Sequence, residues 1–116
     1  MVTVLKLGGE LLEDAAAMTR AAAAIGQLTA AGPLVVVHGG GRAIDADLRA
    51  RGVAPVFVDG LRVTDEQTLT SVVGVLAGRV NTGLVAALGA ARVPAIGLTG
   101  ADAQLGLGSA LDVFGR

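Results

Sequence analysis

The chain contains no cysteine, tryptophan or tyrosine. Without cysteine there is no disulfide scaffold, no thiol nucleophile and no thiolate metal site, a usage that fits a reducing compartment. The aromatic content is two phenylalanines, Phe57 and Phe114, which excludes a stacking platform for the bases of a single strand. Nine basic residues face ten acidic ones, a formal net charge of −1, so nucleic acid is not an expected partner. The one histidine, His38, has no partner set at metal-ligand spacing and reads as a structural hydrogen-bonder. No apolar stretch approaches the ~20 residues of a membrane span, and the N-terminus lacks a basic region followed by a secretory apolar segment. A cytoplasmic protein with no membrane partner is the expectation.

Apolar residues and glycine are abundant. Of 116 residues, 53% are hydrophobic and 18 are glycine. That length holds one domain, residues 1–116, with a modest core. So apolar a composition in so small a chain implies that some apolar surface meets a partner or a further part of the protein.

Leu34-Val35-Val36-Val37-His38 reads as a strand buried on both faces, the pattern of a parallel sheet. It ends in Gly39-Gly40-Gly41, where backbone N–H groups and the positive end of a following helix can receive an anion. Val2–Leu7 reads as a first strand ending in Gly8-Gly9. Lys6 within it is either a strand-end lysine reaching water or a point charge aimed at a phosphate, and the second glycine-rich strand end favours the latter. A helix is expected from about Ala15 to Ala31, with Met18, Ala21, Ala22, Ile25 and Leu28 as its buried stripe, stopped by Gly32-Pro33. A second is expected from about Arg42 to Arg51, turning Ile44 and Leu48 inward and leaving Asp45 as a solvated carboxylate.

Val56–Val58 and Leu61–Thr64 flank Asp59-Gly60, a two-residue hairpin signal. It leaves Arg62 on a strand just after the turn, either as a surface residue or as a fork for a carboxylate. Thr64-Asp65-Glu66-Gln67 matches a capping box with Thr64 as the cap. A long helix follows to about Ala91, with Leu69, Val72, Val73, Leu76, Val80, Leu84 and Leu88 on one face. A break is expected near Asn81-Thr82-Gly83, and a contact with another subunit along the helix. Val93–Thr99 reads as a further strand, and Gln104–Arg116 has room for one short strand. The order of elements is that of an α/β fold with a mainly parallel sheet.

Two glycine-rich strand ends, a lysine and an arginine, with no acid–base pair, suit phosphoryl transfer, where positioning and charge neutralisation do the catalysis. Lys6-Leu7-Gly8-Gly9, His38-Gly39-Gly40-Gly41, Gly60-Leu61-Arg62-Val63-Thr64, Gly78-Arg79-Val80-Asn81 and Gly97-Leu98-Thr99-Gly100-Ala101-Asp102 occur in this order. On these motifs the chain resembles the N-terminal half of the acetylglutamate kinases, within the amino-acid kinase family. The resemblance implies a three-layer αβα sandwich of which this chain is the N-terminal, acyl-substrate lobe. It also implies ATP-dependent phosphorylation of the side-chain carboxylate of N-acetyl-L-glutamate, in arginine biosynthesis.

By the same resemblance, Lys6 stabilises the transferring phosphoryl group, and Lys6, Gly8 and Gly9 lie on the ATP side. Gly9, Gly40 and Gly41 offer backbone N–H groups; Gly40, Gly41 and Arg62 hold the acyl substrate, Arg62 through a carboxylate. ATP is the co-substrate, Mg2+ is implied with it, and a homodimer or larger homo-oligomer is implied by the helix from Asp65 onward. The chain departs from the family pattern in lacking counterparts of the substrate-binding asparagine, the organising aspartate and a second phosphate-stabilising lysine. Thr82 also follows Asn81 where the family has a basic residue. Two alternatives stay open: a non-catalytic acyl-amino-acid-binding or oligomerisation module, and a kinase for another substrate such as carrier-linked aminoadipate.

Overall fold

The structure, a computed structural model, describes residues 1–106. Strand β1 (Thr3–Leu7) and strand β2 (Leu34–His38) pair in parallel, with Leu5 opposite Val36, Lys6 opposite Val37 and Leu7 opposite His38. Between them a 3₁₀ turn (Gly9–Leu12) leads into helix α1 (Ala15–Thr29). Asp14 starts α1: its Oδ1 accepts a hydrogen bond from the Ala17 N–H at 2.7 Å, satisfying one of the free donors of the first turn. Gly32, at φ 141°, ends the turn after α1, and Pro33 O accepts from Thr3 N at 3.0 Å. The α1 stripe is Ala17, Ala22 and Ile25; Leu28 at its end is exposed.

Helix α2 (Gly41–Ala50) follows β2 and buries Ile44 and Leu48, as its pattern requires. A hairpin comes next, strand β3 (Phe57–Val58) against strand β4 (Leu61–Arg62). Asp59 and Gly60 have φ of 50° and 76°, the doubly positive pair of the tight turn that matches strand twist. The chain then runs through helix α3 (Glu66–Val73), a π-helical stretch (Gly74–Val80) and helix α4 (Asn81–Ala90).

The parallel pair buries one face only. Leu5, Leu7, Leu34 and Val36 pack into a core built from Leu12, Ile25, Ile44, Leu48, Val75, Val80, Leu84 and Leu88. On the opposite face Val4, Val35 and Val37 are exposed, with Lys6 between them. The expectation of a β2 buried on both faces is therefore corrected for this chain. The valine-rich sequence belongs to a strand covered twice, and the described residues supply one cover.

Four further expectations are corrected. The cap of α3 is Asp65, whose Oδ1 accepts from Thr68 N at 2.8 Å, while the Thr64 hydroxyl donates to Arg62 O at 3.3 Å. A carboxylate at the positive helix end is the stronger acceptor, so the helix begins one residue later. The expected break at Asn81-Thr82-Gly83 is instead the π-helical stretch just before it, and it changes the buried face. Thr68, Ser71 and Val75 are buried before it, and Val80, Leu84 and Leu88 after it. The step of five from Val75 to Val80 is the extra residue of the wider turn, and it leaves Leu69 and Val73 exposed.

Val93–Thr99 is not a strand: Ile96 and Leu98 are exposed, and among the described residues no neighbouring strand pairs with it. Apolar content favours a strand, but only a ladder makes one. Lastly, the continuous helix Glu66–Ala90 is long and apolar enough, by length and composition, to cross a membrane. Its Val, Leu and Ala residues raise the average, while Gly74, Gly78, Arg79, Asn81 and Thr82 keep it from being an unbroken apolar run. Here one side of it packs on α1 and α2 as a core helix. The short strand expected in Gln104–Arg116 falls largely outside the described residues; Asp102–Gln104 forms a 3₁₀ turn.

Candidate functional site

The two glycine-rich strand ends meet at the carboxyl edge of the sheet. Gly39 N donates to Leu7 O at 3.3 Å, carrying the parallel ladder one step beyond the strands. Gly9 then lies directly against Gly40. A Cβ on Gly9 would stand 2.7 Å from Gly40 Cα and 2.8 Å from Gly40 N, so the two backbones touch where any side chain would part them. Gly40 is buried, and a Cβ there would fall 2.9 Å from Leu76 Cδ2. Gly39 and Gly41 have open space at the Cβ position. A Cβ on Gly8 would meet only the mobile end of the Glu10 side chain. Of the predicted glycines, Gly9 is thus demanded by close approach of backbone, while Gly40 faces the Leu76 side chain.

Gly41 opens α2, and no side chain caps that helix. Its first N–H groups face outward at the positive end of the helix dipole, the arrangement that receives an anion. Arg62 comes to the same place from the hairpin. Its Nη2 lies 2.7 Å from Asp45 Oδ1 and 3.4 Å from Gly41 O. The guanidinium carbon sits 4.6 Å from the Phe57 ring centroid, within cation–π range. The Arg62 and Asp45 side chains are 14% and 22% exposed, so this pair lies well below the surface. Arg62 Nη1 is buried and has no hydrogen-bond partner, and the approach of Nη2 to Asp45 Oδ1 is close without hydrogen-bond geometry. A guanidinium can make five donations; this one keeps donors in reserve.

Sequence reasoning placed Arg62 but missed its partners. Asp45 is not a solvated carboxylate, because the hairpin lays Arg62 over it. Phe57 was within reach of the sequence: a two-residue turn at Asp59-Gly60 puts Phe57 opposite Arg62, the register observed. Lys6 stands apart from this group. Its side chain is exposed on the open sheet face, and no described hydrogen bond or salt bridge ties it to the glycine loops. His38 Nδ1 lies 3.2 Å from Gly39 O, in keeping with a structural part beside the loop.

On the helical side of the Gly9–Gly40 contact opens a cleft of about 460 Å³, lined among others by Met18, Val80, Arg42 and Arg79. It shares the two glycines with the anion cradle but takes in neither Lys6 nor Arg62. Below it, Asp47 joins α2 to the long helix. Its carboxylate lies 2.9 Å from Arg51 Nε and 3.4 Å from Arg79 Nη2. The Asp47 carboxyl is held below the usual carboxylate range by the nearby Ser71 hydroxyl, buried in α3 without hydrogen-bond geometry, and by Arg51 and Arg79, against the effect of desolvation. Among the described residues no group of three or more His, Asp or Glu side chains converges. The described residues therefore offer no carboxylate cluster of their own for Mg2+.

The amino acid kinase family model matches residues 1–110. The chain belongs to the amino acid kinase family. Within that family it is 42% identical over 106 residues to the acetylglutamate kinase of Koribacter versatilis, a match covering 90% of this chain and 41% of that one. It is 46% identical over 105 residues to the acetylglutamate kinase of Roseiflexus sp., covering 88% and 38%. The chain thus spans about two-fifths of the length of the curated relatives it matches. Among solved structures it is similar to N-acetylglutamate synthase from Neisseria gonorrhoeae complexed with coenzyme A and N-acetyl-glutamate. The TM-score is 0.69 at 36% identity, over 82% of this chain and 22% of that one. A second structure of that synthase, complexed with coenzyme A and L-arginine, aligns with a TM-score of 0.63 at 38% identity over 75% and 20%. The mixed α/β architecture with a parallel pair agrees with this family.

Proposed function

We propose that this chain is the acyl-substrate lobe, residues 1–116, of an acetylglutamate kinase, transferring the γ-phosphoryl group of ATP to the side-chain carboxylate of N-acetyl-L-glutamate. The observation that carries this reading is the largely buried Arg62 guanidinium, with a donor lacking any partner, at the start of α2 next to the touching backbones of Gly9 and Gly40. A buried donor without a partner is unfavourable, and a ligand carboxylate supplies the missing acceptor in the fork geometry that arginine prefers. Gly40 and Gly41 offer N–H groups to the acyl substrate, and Gly8 and Gly9 to the phosphates.

In the transfer, a carboxylate oxygen forms a bond to the γ-phosphorus while the bond from that phosphorus to the bridging oxygen breaks and ADP leaves. The acceptor is already ionised near neutral pH, so no general base is required, in keeping with the absence of an acid–base pair among the assigned residues. Lys6, exposed on the open sheet face one residue before the end of β1, would serve the charge on the transferring group through its flexible ammonium. Exposed Phe57, Leu61, Leu69 and Val73 favour a homodimer built on the hairpin and long helix.

A second reading is favoured by the likeness to the synthase structure: an amino-acid-kinase lobe that binds an acylated amino acid without transferring phosphate. ADP release by the purified chain on addition of ATP and N-acetyl-L-glutamate separates the two. Turnover supports the kinase; heat of binding with N-acetyl-L-glutamate but no ADP supports the binding lobe. Neither turnover nor binding would remove both. A panel including glutamate and a carrier-linked aminoadipate tests the choice of substrate.

A further inference from the structure

Asp45 has no part in the family motifs noted above, yet its carboxylate is the nearest charge to Arg62. The guanidinium could turn about the long arginine stem, and three contacts oppose that: Asp45 Oδ1 at 2.7 Å from Nη2, Gly41 O at 3.4 Å from Nη2, and the Phe57 ring 4.6 Å from the guanidinium carbon. Two of the three engage the same nitrogen. Nη1 is buried and without a partner.

We propose that Asp45 is a positioning residue. It fixes the Arg62 guanidinium by Nη2 against the start of α2, so that the guanidinium is held in place for the carboxylate of an acylated amino acid bound at Gly40 and Gly41. The inference rests on the reading of Arg62 as the carboxylate-binding group and adds the residue that orients it.

Asp45 sits one turn into α2 from Gly41, so a single rigid helix carries both the anchor of Arg62 and the N–H groups offered to the ligand. Fixing both on one element sets the distance between the two halves of the subsite, which is how a supporting residue contributes to binding it does not touch. The pair also has a charge consequence. With Asp45 in place Arg62 is partly neutralised before ligand arrives, so a poorly placed anion gains little, and only one aligned with the fixed guanidinium gains a directional bond.

The test is a double-substitution cycle read by titration calorimetry with N-acetyl-L-glutamate on the full chain, with thermal melts alongside. Asp45→Ala is expected to weaken binding about ten-fold, within the range for residues sharing one network. Asp45→Asn keeps an oxygen in the same position without the charge and is expected to recover only part of that loss. In an Arg62→Ala background Asp45→Ala should have no further effect, because its influence passes through Arg62. A purely structural Asp45 would lower the melting temperature and leave this non-additivity absent.

The inference is overturned if Asp45→Ala binds like the wild type, or if its loss is undiminished without Arg62. If Asp45→Ala does not fold, Asp45→Ser repeats the cycle with a small polar side chain under the same criteria. Should Arg62→Ala alone bind as tightly as the wild type, the assignment of Arg62 fails instead, and the two failures are thereby told apart.

Discussion

Gly9→Ala tests the feature on which the candidate site depends. The added Cβ would sit 2.7 Å from Gly40 Cα, 2.8 Å from Gly40 N and 3.3 Å from Gly39 C. Carbon atoms are comfortable at about 3.5–4.0 Å, so the loops after β1 and β2 must part by roughly 0.8 Å. The obstacle is backbone on both sides, and Gly40 already lies close to Leu76, so no side-chain rotation relieves it. Overpacking of this kind costs about 1–3 kcal/mol. Against it stands the gain of about 0.4–1 kcal/mol that alanine brings by restricting the unfolded chain, Gly9 not being held at a positive φ. The net loss of about 1–2 kcal/mol corresponds to a fall in Tm of roughly 4–16 °C for a domain of this size.

The control is Gly39→Ala, where the new methyl group meets open space. Circular-dichroism melts of the two variants give opposite signs if the loops touch. N-acetyl-L-glutamate binding should fall by about ten-fold or more in Gly9→Ala, since displacing the loop moves the N–H groups by most of an ångström. A Gly9→Ala protein melting level with or above Gly39→Ala would refute the close approach.

The remaining predictions concern the elements that present the site. Gly60→Ala forces an alanine to a φ of 76°. It should lower Tm by an amount equivalent to about 1–2 kcal/mol and loosen Arg62, seen as weaker N-acetyl-L-glutamate binding in calorimetry. On the proposed function, Lys6→Ala should reduce turnover while leaving acyl-substrate binding intact, because its charge would act on the transition state; Arg62→Ala should do the reverse, chiefly raising the KM for N-acetyl-L-glutamate.

The Asp65 carboxyl is held below its ordinary value of 3.8 by the Thr68 N–H, with the Thr68 hydroxyl adding to it. A depressed folded value means stability that is present above 3.8 and lost as the pH falls through the lower, folded value. Asp65→Asn keeps the cap but has no such proton linkage. Its melts should therefore lose less than those of the wild type between pH 5 and pH 3, and equal losses in the two proteins would refute the assignment.

Local features of this chain were legible from its sequence, while features that depend on neighbours were not. Asp59-Gly60 fixed the hairpin because its turn geometry is a property of two residues. Ile44 and Leu48 marked the inner face of α2 because the helix there is regular. The long helix defeated the same method: seven π-helical residues shift the period once, so Leu69 and Val73, in step with Leu76 on paper, come out exposed. Val93–Thr99 has strand composition, but a strand requires a partner edge. At the candidate site, Gly9, Gly40, Gly41 and Arg62 were singled out by residue type and position and lie near one another, while Lys6 stands apart on the open sheet face. Asp45 was passed over because a lone aspartate on a helix carries no mark of the arginine that the hairpin brings to it.

The uncovered sheet face has a consequence for how the molecule should respond to its solvent. Val2, Val4, Val35 and Val37, each about half exposed or more, form an apolar surface whose tendency to seek cover weakens on cooling and strengthens in excluded salts such as sulfate. The Arg62–Asp45 pair, built of charges, feels screening with the opposite sign. Ammonium sulfate and chilling thus act as two separate controls. Salting drives the valine face toward any polypeptide layer that fits it while easing the hold on Arg62, and cold releases the face. Sedimentation at 5 and 30 °C, with and without sulfate, would read that face independently of any chemistry at the glycine loops.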